Sequence, residues 1–278
     1  MTMAWDELLL ALALAAYVLG ALALMLFFFT RRPAYRSMGI PLAIAGCVAQ
    51  FVQLAVRFET THVWPLLNLY GSLSLFAAMS VAIFIVFAYR YNLWFAGGFV
   101  LALAAIFLAY GVTWYEGTMP AVPSLQSYWA KIHVPIVVSS YAAFLVAFVF
   151  SCIYLLKFYA QRRAGGAASG WLESLPALPQ LDVIVYRAVA IGLPLISVGI
   201  ITGAMWAHEA WGAYWQWDPK ETAALFSWII YLGYMHLHTR HAWRGLRTNW
   251  VSVIGFLSII FCYLGVNIWI SGLHSYKV

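Results

Sequence analysis

Residues 8–32 read LLLALALAAYVLGALALMLFFFTRR, an uncharged apolar run that ends on Arg31 and Arg32. A bilayer's hydrocarbon core is crossed by about twenty apolar residues in helical form, and this run meets that length. Asp6 and Glu7 precede it. A secretory signal carries its basic region first, so the reversed order predicts a retained helix with its amino end outside.

The same template recurs along the chain near residues 8–29, 38–57, 66–88, 93–114, 133–157, 183–206, 222–238 and 250–271. The 278 residues are 65% hydrophobic and 9% charged, with a mean hydropathy of +0.86, which excludes an ordinary soluble domain. The expected fold is all-α, a polytopic membrane helix bundle of about eight transmembrane helices forming one domain over residues 1–278. Eight spans would put both termini on one side.

The cations set the expected orientation. Arg31, Arg32, Arg36, Arg90, Lys157, Arg162, Arg163, Arg187, Arg240, Arg244 and Arg247 follow odd-numbered spans or open even-numbered ones, so eleven of the fifteen lie on the inner side. The other side holds Arg57, Lys131, Lys220 and Lys277, with Asp6, Glu7, Glu59, Glu116, Glu209, Asp218 and Glu221. The net charge of +6 therefore reads as topology and not as a nucleic-acid surface. Cys47, Cys152 and Cys262 sit inside apolar runs without a Cys-x-x-Cys pair, and are read as buried thiols. The connection over residues 161–181 reads as a flexible turn or a short surface helix.

One outward segment departs from lipid-facing chemistry. Residues 206–221, WAHEAWGAYWQWDPKE, hold four tryptophans, a tyrosine, a histidine and three carboxylates. Indoles stack on flat rings while polar groups meet a charged edge, so the segment is read as a loop for a planar ligand.

The histidines are the candidate ligands. His133 precedes Pro135, which suits the first turn of a helix, so His133 is expected at an outward helix start, where neutral imidazole is favoured. An interfacial histidine that contacts headgroups or caps the helix fits equally. His274 follows Gly272 just past the eighth run, on the same side. Two outward histidines flanking a tryptophan-rich loop are what a bis-imidazole metalloporphyrin site requires. His236 lies fifteen residues after Glu221, roughly 22 Å inward, with Gly233 on the same face leaving room for a flat ligand. His238 and His241 read as solvated at the inner surface, His208 as orienting a ligand or bonding a carboxylate, and His62 as structural.

Five motifs carry a resemblance: LNLYGSL over 67–73, KIHVP over 131–135, WGAYWQWDPKET over 211–222, YLGYMHLH over 231–238 and NIWISGLHSY over 267–276. Together they resemble the CcsA/ResC proteins of cytochrome c biogenesis, System II members of the heme-handling group named for a Trp-Trp-Asp (WWD) signature. The related CcmC and CcmF proteins share tryptophan-rich outward loops. The DPKET continuation and the terminal GLHSY favour CcsA.

The resemblance implies a heme-handling core over about 62–278 that moves heme b across the membrane and holds it outward. There heme would be joined by thioether bonds to the CxxCH motif of apocytochrome c. His133 and His274 match the outward axial ligands and act as the catalytic pair. The loop matches the heme-holding segment, with Trp206, Trp211, Trp215, Trp217 and Asp218 as binding residues. His236 matches the intramembrane ligand, and Lys131 and Lys220 are the cations best placed for the propionates.

It also implies an enzyme, a holocytochrome c synthase (cytochrome c heme lyase) subunit with a CcsB/ResB partner that supplies the ligand opposite His236. Thiol-reducing proteins are further expected partners. The expected membrane is the bacterial inner or plasma membrane, ahead of the thylakoid, with the active face outward. Relatives often carry glutamate after Asn-Leu-Tyr, where this chain has Gly71. A small-molecule transporter and a permanent b-type electron-transfer cytochrome are the competing functions.

Overall fold

A computed structural model describes residues 2–66, 68–115, 123–165 and 172–270, and among these every regular element is helical. The long helices are α1 (Thr2–Thr30), α2 (Pro33–Thr61), α3 (Leu69–Tyr91), α4 (Gly97–Val112, entered through a 3-10 turn, Trp94–Ala96), α5 (Tyr128–Arg163), α6 (Leu178–Trp211), α7 (Pro219–Thr239) and α8 (Leu246–Ile260). A π-helical turn, Phe261–Gly265, carries α8 on into Val266–Trp269. A helix satisfies its backbone groups internally, which hydrocarbon surroundings demand.

Among the described residues seven spans are long and apolar enough to cross a membrane, and the protein is a polytopic membrane bundle. The eighth long helix, α7, is 21 residues but carries Lys220, Glu221, His236 and His238, which lower its hydropathy. α5 packs most extensively on α6, and α1 on α2, while α3 and α5 are the most enclosed spans.

At 36 residues α5 is about 54 Å long, and α6 with 34 residues about 51 Å. Both exceed the roughly 30 Å hydrocarbon core, so one pair of their adjoining ends stands clear of it. That pair carries the tryptophans.

Polar ties register the bundle. Asp6 on α1 and Arg57 on α2 form a buried ion pair at 3.1 Å, Gln53 bonds Asp6, and the Arg57 guanidinium lies 4.8 Å from the ring centres of both Tyr70 and Tyr115. Arg57 is thereby committed to structure. Tyr263 in the π turn donates to Ser72 at 2.9 Å, fastening α8 to α3.

Gly71 has a local explanation. A Cβ there would stand 1.5 Å from the Pro65 carbonyl oxygen, and Asn68 caps α3 by accepting from the Gly71 amide at 2.8 Å. The chain before α3 folds so closely onto its first turn that a side chain is excluded. Cys47 and Cys262 are buried as expected, whereas Cys152 is exposed on the outer surface of α5.

Candidate functional site

The joined ends of α5 and α6 build the site. Ser127 caps α5, accepting from the Trp129 amide at 3.1 Å, and its hydroxyl donates to Glu209 on α6 at 2.8 Å. With α5 starting at Tyr128, His133 occupies its second turn and Pro135 lies inside the helix. The expected helix start at His133 is therefore displaced by more than a turn, because the Ser127 cap allows the helix to begin before the proline. The helix dipole consequently bears less on the imidazole than a neighbouring carbonyl does.

That carbonyl belongs to Gly199. His133 Nδ1 lies 2.8 Å from the Gly199 oxygen, and a carbonyl can only accept, so the proton sits on Nδ1. In the neutral ring the lone pair is then at Nε2, the tautomer a metal ligand needs. The approach depends on two glycines one turn apart. A Cβ at Gly199 would stand 2.5 Å from Val137 Cγ2, and one at Gly203 2.7 Å from His133 Cε1. This small-xxx-small pair lets α5 lie against the α6 backbone.

Around His133 the indoles converge. Its ring centre is 5.8 Å from that of Trp206, tilted by 32°, and Trp206 is 5.1 Å from Trp211. Trp206 and Ala130 form a buried cluster lined by Trp64, Trp129 and Trp211. Trp64 Nε1 is buried with no hydrogen-bond partner, a donor that suits the polar edge of a bound ring. Sequence reasoning passed over Trp64 and Trp129; each stands beside a motif it used.

Residues 206–221 are not all loop. Trp206 to Trp211 complete α6, which Gly212 ends at φ +81°, its amide reaching the His208 carbonyl at 2.9 Å. Packing on α5 makes helix the better state for these residues, and a left-handed glycine supplies the stop. Residues 219–221 open α7. Asp218 caps that helix, accepting from the Lys220 amide at 2.9 Å, and Glu221 completes a capping box.

Glu221 does more than cap. Its Oε2 accepts from the amides of Gln216 at 2.9 Å and Asp218 at 3.2 Å, one on each side of Trp217. Trp217 is held between them at φ +56°, in the left-handed region that side chains disfavour, with its indole 68% exposed. Trp215 meets it edge-on at 5.6 Å and 90°. The segment thus presents two perpendicular indoles on a clamped turn. His208 stacks on Tyr214, its ring centre at 4.2 Å.

His236 is exposed, three residues from the end of α7. A Cβ at Gly233 would meet nothing within 4 Å. Phe226, Ile229 and Leu232 are exposed along the same stripe, so His236 belongs to an outward apolar face and not to the bundle interior. His238 is the buried one. Its Nε2 lies 3.0 Å from Asp182, which also accepts from Asn249 at 2.9 Å, and its ring stacks on Tyr186 at 4.5 Å. The expectation of a solvated His238 is corrected: two residues turn the side chain through roughly 200° of helix, from the lipid face to the core. His241 is exposed.

Lys131 is exposed on α5, and Lys220 is half-buried in the first turn of α7. His274 lies outside the described residues. Among the described residues no three His, Cys, Asp or Glu side chains converge as a metal centre. What the described residues offer is one oriented imidazole, His133, beside a cluster of indoles suited to a flat ring.

Residues 66–274 match the model of the family described as Cytochrome C assembly protein. The chain belongs to that family. Relatives named cytochrome c biogenesis protein CcsA include one from Synechococcus sp. (strain CC9902), 34% identical over 97% of both chains. One from Mesostigma viride is 35% identical over 80% of both. One from Guillardia theta is 32% identical over 86% of this chain and 85% of the relative. Among solved structures, one titled cytochrome c heme lyase CcmF superposes with a TM-score of 0.71 at 16% identity, over 95% of this chain and 46% of that one. At that identity the likeness is one of fold. The resemblance to CcsA read from the five motifs is thus established, and the protein is a cytochrome c biogenesis protein of the membrane. Within this Cytochrome C assembly chain, His133, Trp129, Trp206, Trp211, Trp215 and Trp217 lie in the family-matched region, as do Gly199, Gly203 and Glu221, while Trp64 stands just before it.

Proposed function

We propose that this chain is the heme-holding subunit of a holocytochrome c synthase. The observation that carries the reading is the His133 imidazole, its proton directed to the Gly199 carbonyl at 2.8 Å, beside an indole cluster. Heme is the substrate. His133 offers Nε2 to one face of its iron, and His274, in the terminal motif, is assigned the other. Trp206 and Trp211 exclude water, Trp215 and Trp217 cover the ring, and Asp218 with Glu221 fixes their turn. Lys131 and Lys220 are assigned to the propionates, since Arg57 is already paired with Asp6.

Attachment adds an acceptor thiol across a vinyl group, with sulfur bonding to one carbon and a proton to the other. No electrons are lost, and the sulfur comes from the apocytochrome, so the synthase needs no cysteine of its own. His236 on its outward stripe is the inner-half ligand, and that stripe is the surface for a CcsB/ResB-type partner bearing the opposing ligand. By the distribution of cations the tryptophan end faces outward from a bacterial inner or plasma membrane.

Replacing His133 or His274 with alanine is expected to stop holocytochrome formation in cells supplied with the partner. Added imidazole should partly restore it by filling the vacant coordination position. Full activity of the double variant would refute the assignment. A heme-free protein made with ample heme would favour a transporter instead. Unimpaired cytochrome maturation alongside loss of a bound redox couple would favour a permanent b-type cytochrome.

A further inference from the structure

At the opposite end of the bundle from the tryptophans, the α1–α2 junction, the end of α3, the turn before α4 and the segment leading into α6 border a half-open cavity of about 320 Å³. Arg31, Arg36, Tyr91, Asn92, Ser174 and Gln180 are among its polar lining, and Phe27, Trp94 and Phe95 are among its apolar walls. Two arginines face one cavity, and among the described residues neither Arg31 nor Arg36 is paired with a carboxylate. Glu173 is exposed and does not line the cavity.

Arg31 is the unusual member. Its Nε and Nη2 are buried and have no hydrogen-bond partner, and its guanidinium lies 5.5 Å from the Phe95 ring centre and 5.8 Å from those of Phe27 and Phe28. A buried donor without an acceptor is costly, and a charged one more so. Burial also lowers the Arg31 pKa from its ordinary value. The backbone adds to the cost, since Arg31 stands at φ +56°, where glycine or asparagine is the usual occupant. Its amide bonds the Phe27 carbonyl at 2.9 Å, so the turn itself needs no guanidinium.

Neighbouring groups reinforce the positive field. Arg36 Nη2 donates to Asn92 at 2.9 Å, which steadies that side chain at the cavity. Arg187 and Arg90 lie 4.7 and 5.3 Å from the ring centre of the lining Tyr91. Arginine's planar fork matches phosphate oxygens two at a time, and aromatic walls at the edge of a membrane accept glycerol and acyl carbons. Basic pockets between helix ends at a membrane surface are sites for anionic headgroups.

We propose that this cavity binds the phosphate of an anionic phospholipid headgroup, received by Arg31 and Arg36. The lipid seats the α1–α2 hairpin against the ends of α3 and α6, and its phosphate supplies the counter-charge that the Arg31 guanidinium lacks. Nothing in this assignment depends on the heme reading.

The test uses the full chain in nanodiscs of phosphatidylcholine, with or without phosphatidylglycerol, followed by native mass spectrometry and thermal unfolding. The intact protein is expected to retain phosphatidylglycerol and to unfold at a higher temperature in its presence. Arg31→Gln and, separately, Arg36→Gln should each weaken retention about tenfold, and Arg31→Lys, which keeps charge without the fork, should fall between. Arg36 is only half-buried at a helix start, so its variant keeps the test open should Arg31→Gln fold poorly. Equal retention by the intact protein and both glutamine variants would overturn the site. Stabilisation by inorganic phosphate but not by phosphatidylglycerol would overturn the lipid assignment, leaving a soluble-anion site.

Discussion

Gly203→Ala is the substitution that tests how the His133 imidazole is oriented. The new methyl carbon would fall 2.7 Å from His133 Cε1 and 2.9 Å from Nδ1. Carbon contacts settle at about 3.5–4.0 Å, so the ring must retreat from α6 by roughly 1 Å. The Nδ1 to Gly199 distance of 2.8 Å would then open to a separation that no longer holds a hydrogen bond. Losing that bond costs about 0.5–1.5 kcal/mol, while alanine in place of glycine returns about 1 kcal/mol of helix preference. The fold should therefore be nearly as stable as before. Loss of the group that orients a metal-bound histidine lowers metal affinity about 10–100-fold, equivalent to roughly 1.4–2.7 kcal/mol. Heme titrated into the purified protein, followed by its visible absorption, measures that affinity directly. Holocytochrome yield with and without imidazole measures its consequence, and imidazole should rescue Gly203→Ala less than His133→Ala, because the displaced ring still occupies the space. Unchanged heme affinity and unchanged yield in Gly203→Ala would refute the claim that the Gly199 carbonyl orients the ligand.

Glu221→Ala removes the carboxylate that accepts from both amides flanking Trp217 and should cost about 1–2 kcal/mol of local stability. Near-ultraviolet circular dichroism should report the freed indoles, and an unchanged spectrum would show that the turn holds without the carboxylate. Asp182→Asn keeps one acceptor oxygen but turns an amide donor against either the His238 or the Asn249 donor, and should destabilise the inner half by about 1–3 kcal/mol in detergent unfolding, with heme binding at the tryptophan end unaffected. His236→Ala should leave the fold intact, since the side chain is exposed. It should lower heme loading in the presence of the partner, and normal loading would remove His236 from the pathway.

Hydropathy was enough to place the spans because about twenty apolar residues in lipid leave helix as the sole way to satisfy the backbone. The tryptophan segment was legible for a similar reason, as many indoles with carboxylates have little use against lipid. Helix ends were less so. α5 begins at Tyr128 because Ser127 caps it and Glu209 holds Ser127, a partner 82 residues away. The sequence reading passed over the Gly199–Gly203 pair, whose small-xxx-small spacing does not by itself say which helix lies against it.

The amino-acid order determined the membrane bundle, its distribution of charge and the family, since each depends on patterns local to a span or a motif. Packing decided the rest. It separated His236 from His238, two residues apart, sending one to the outward stripe and the other to Asp182, because helix rotation has no meaning until neighbours exist. It also brought His133, Trp64, Trp129 and Trp206 around one space and turned the His133 proton toward Gly199. Contacts between α5 and α6 that join distant residues are set by complementary shape, which a one-dimensional pattern does not encode.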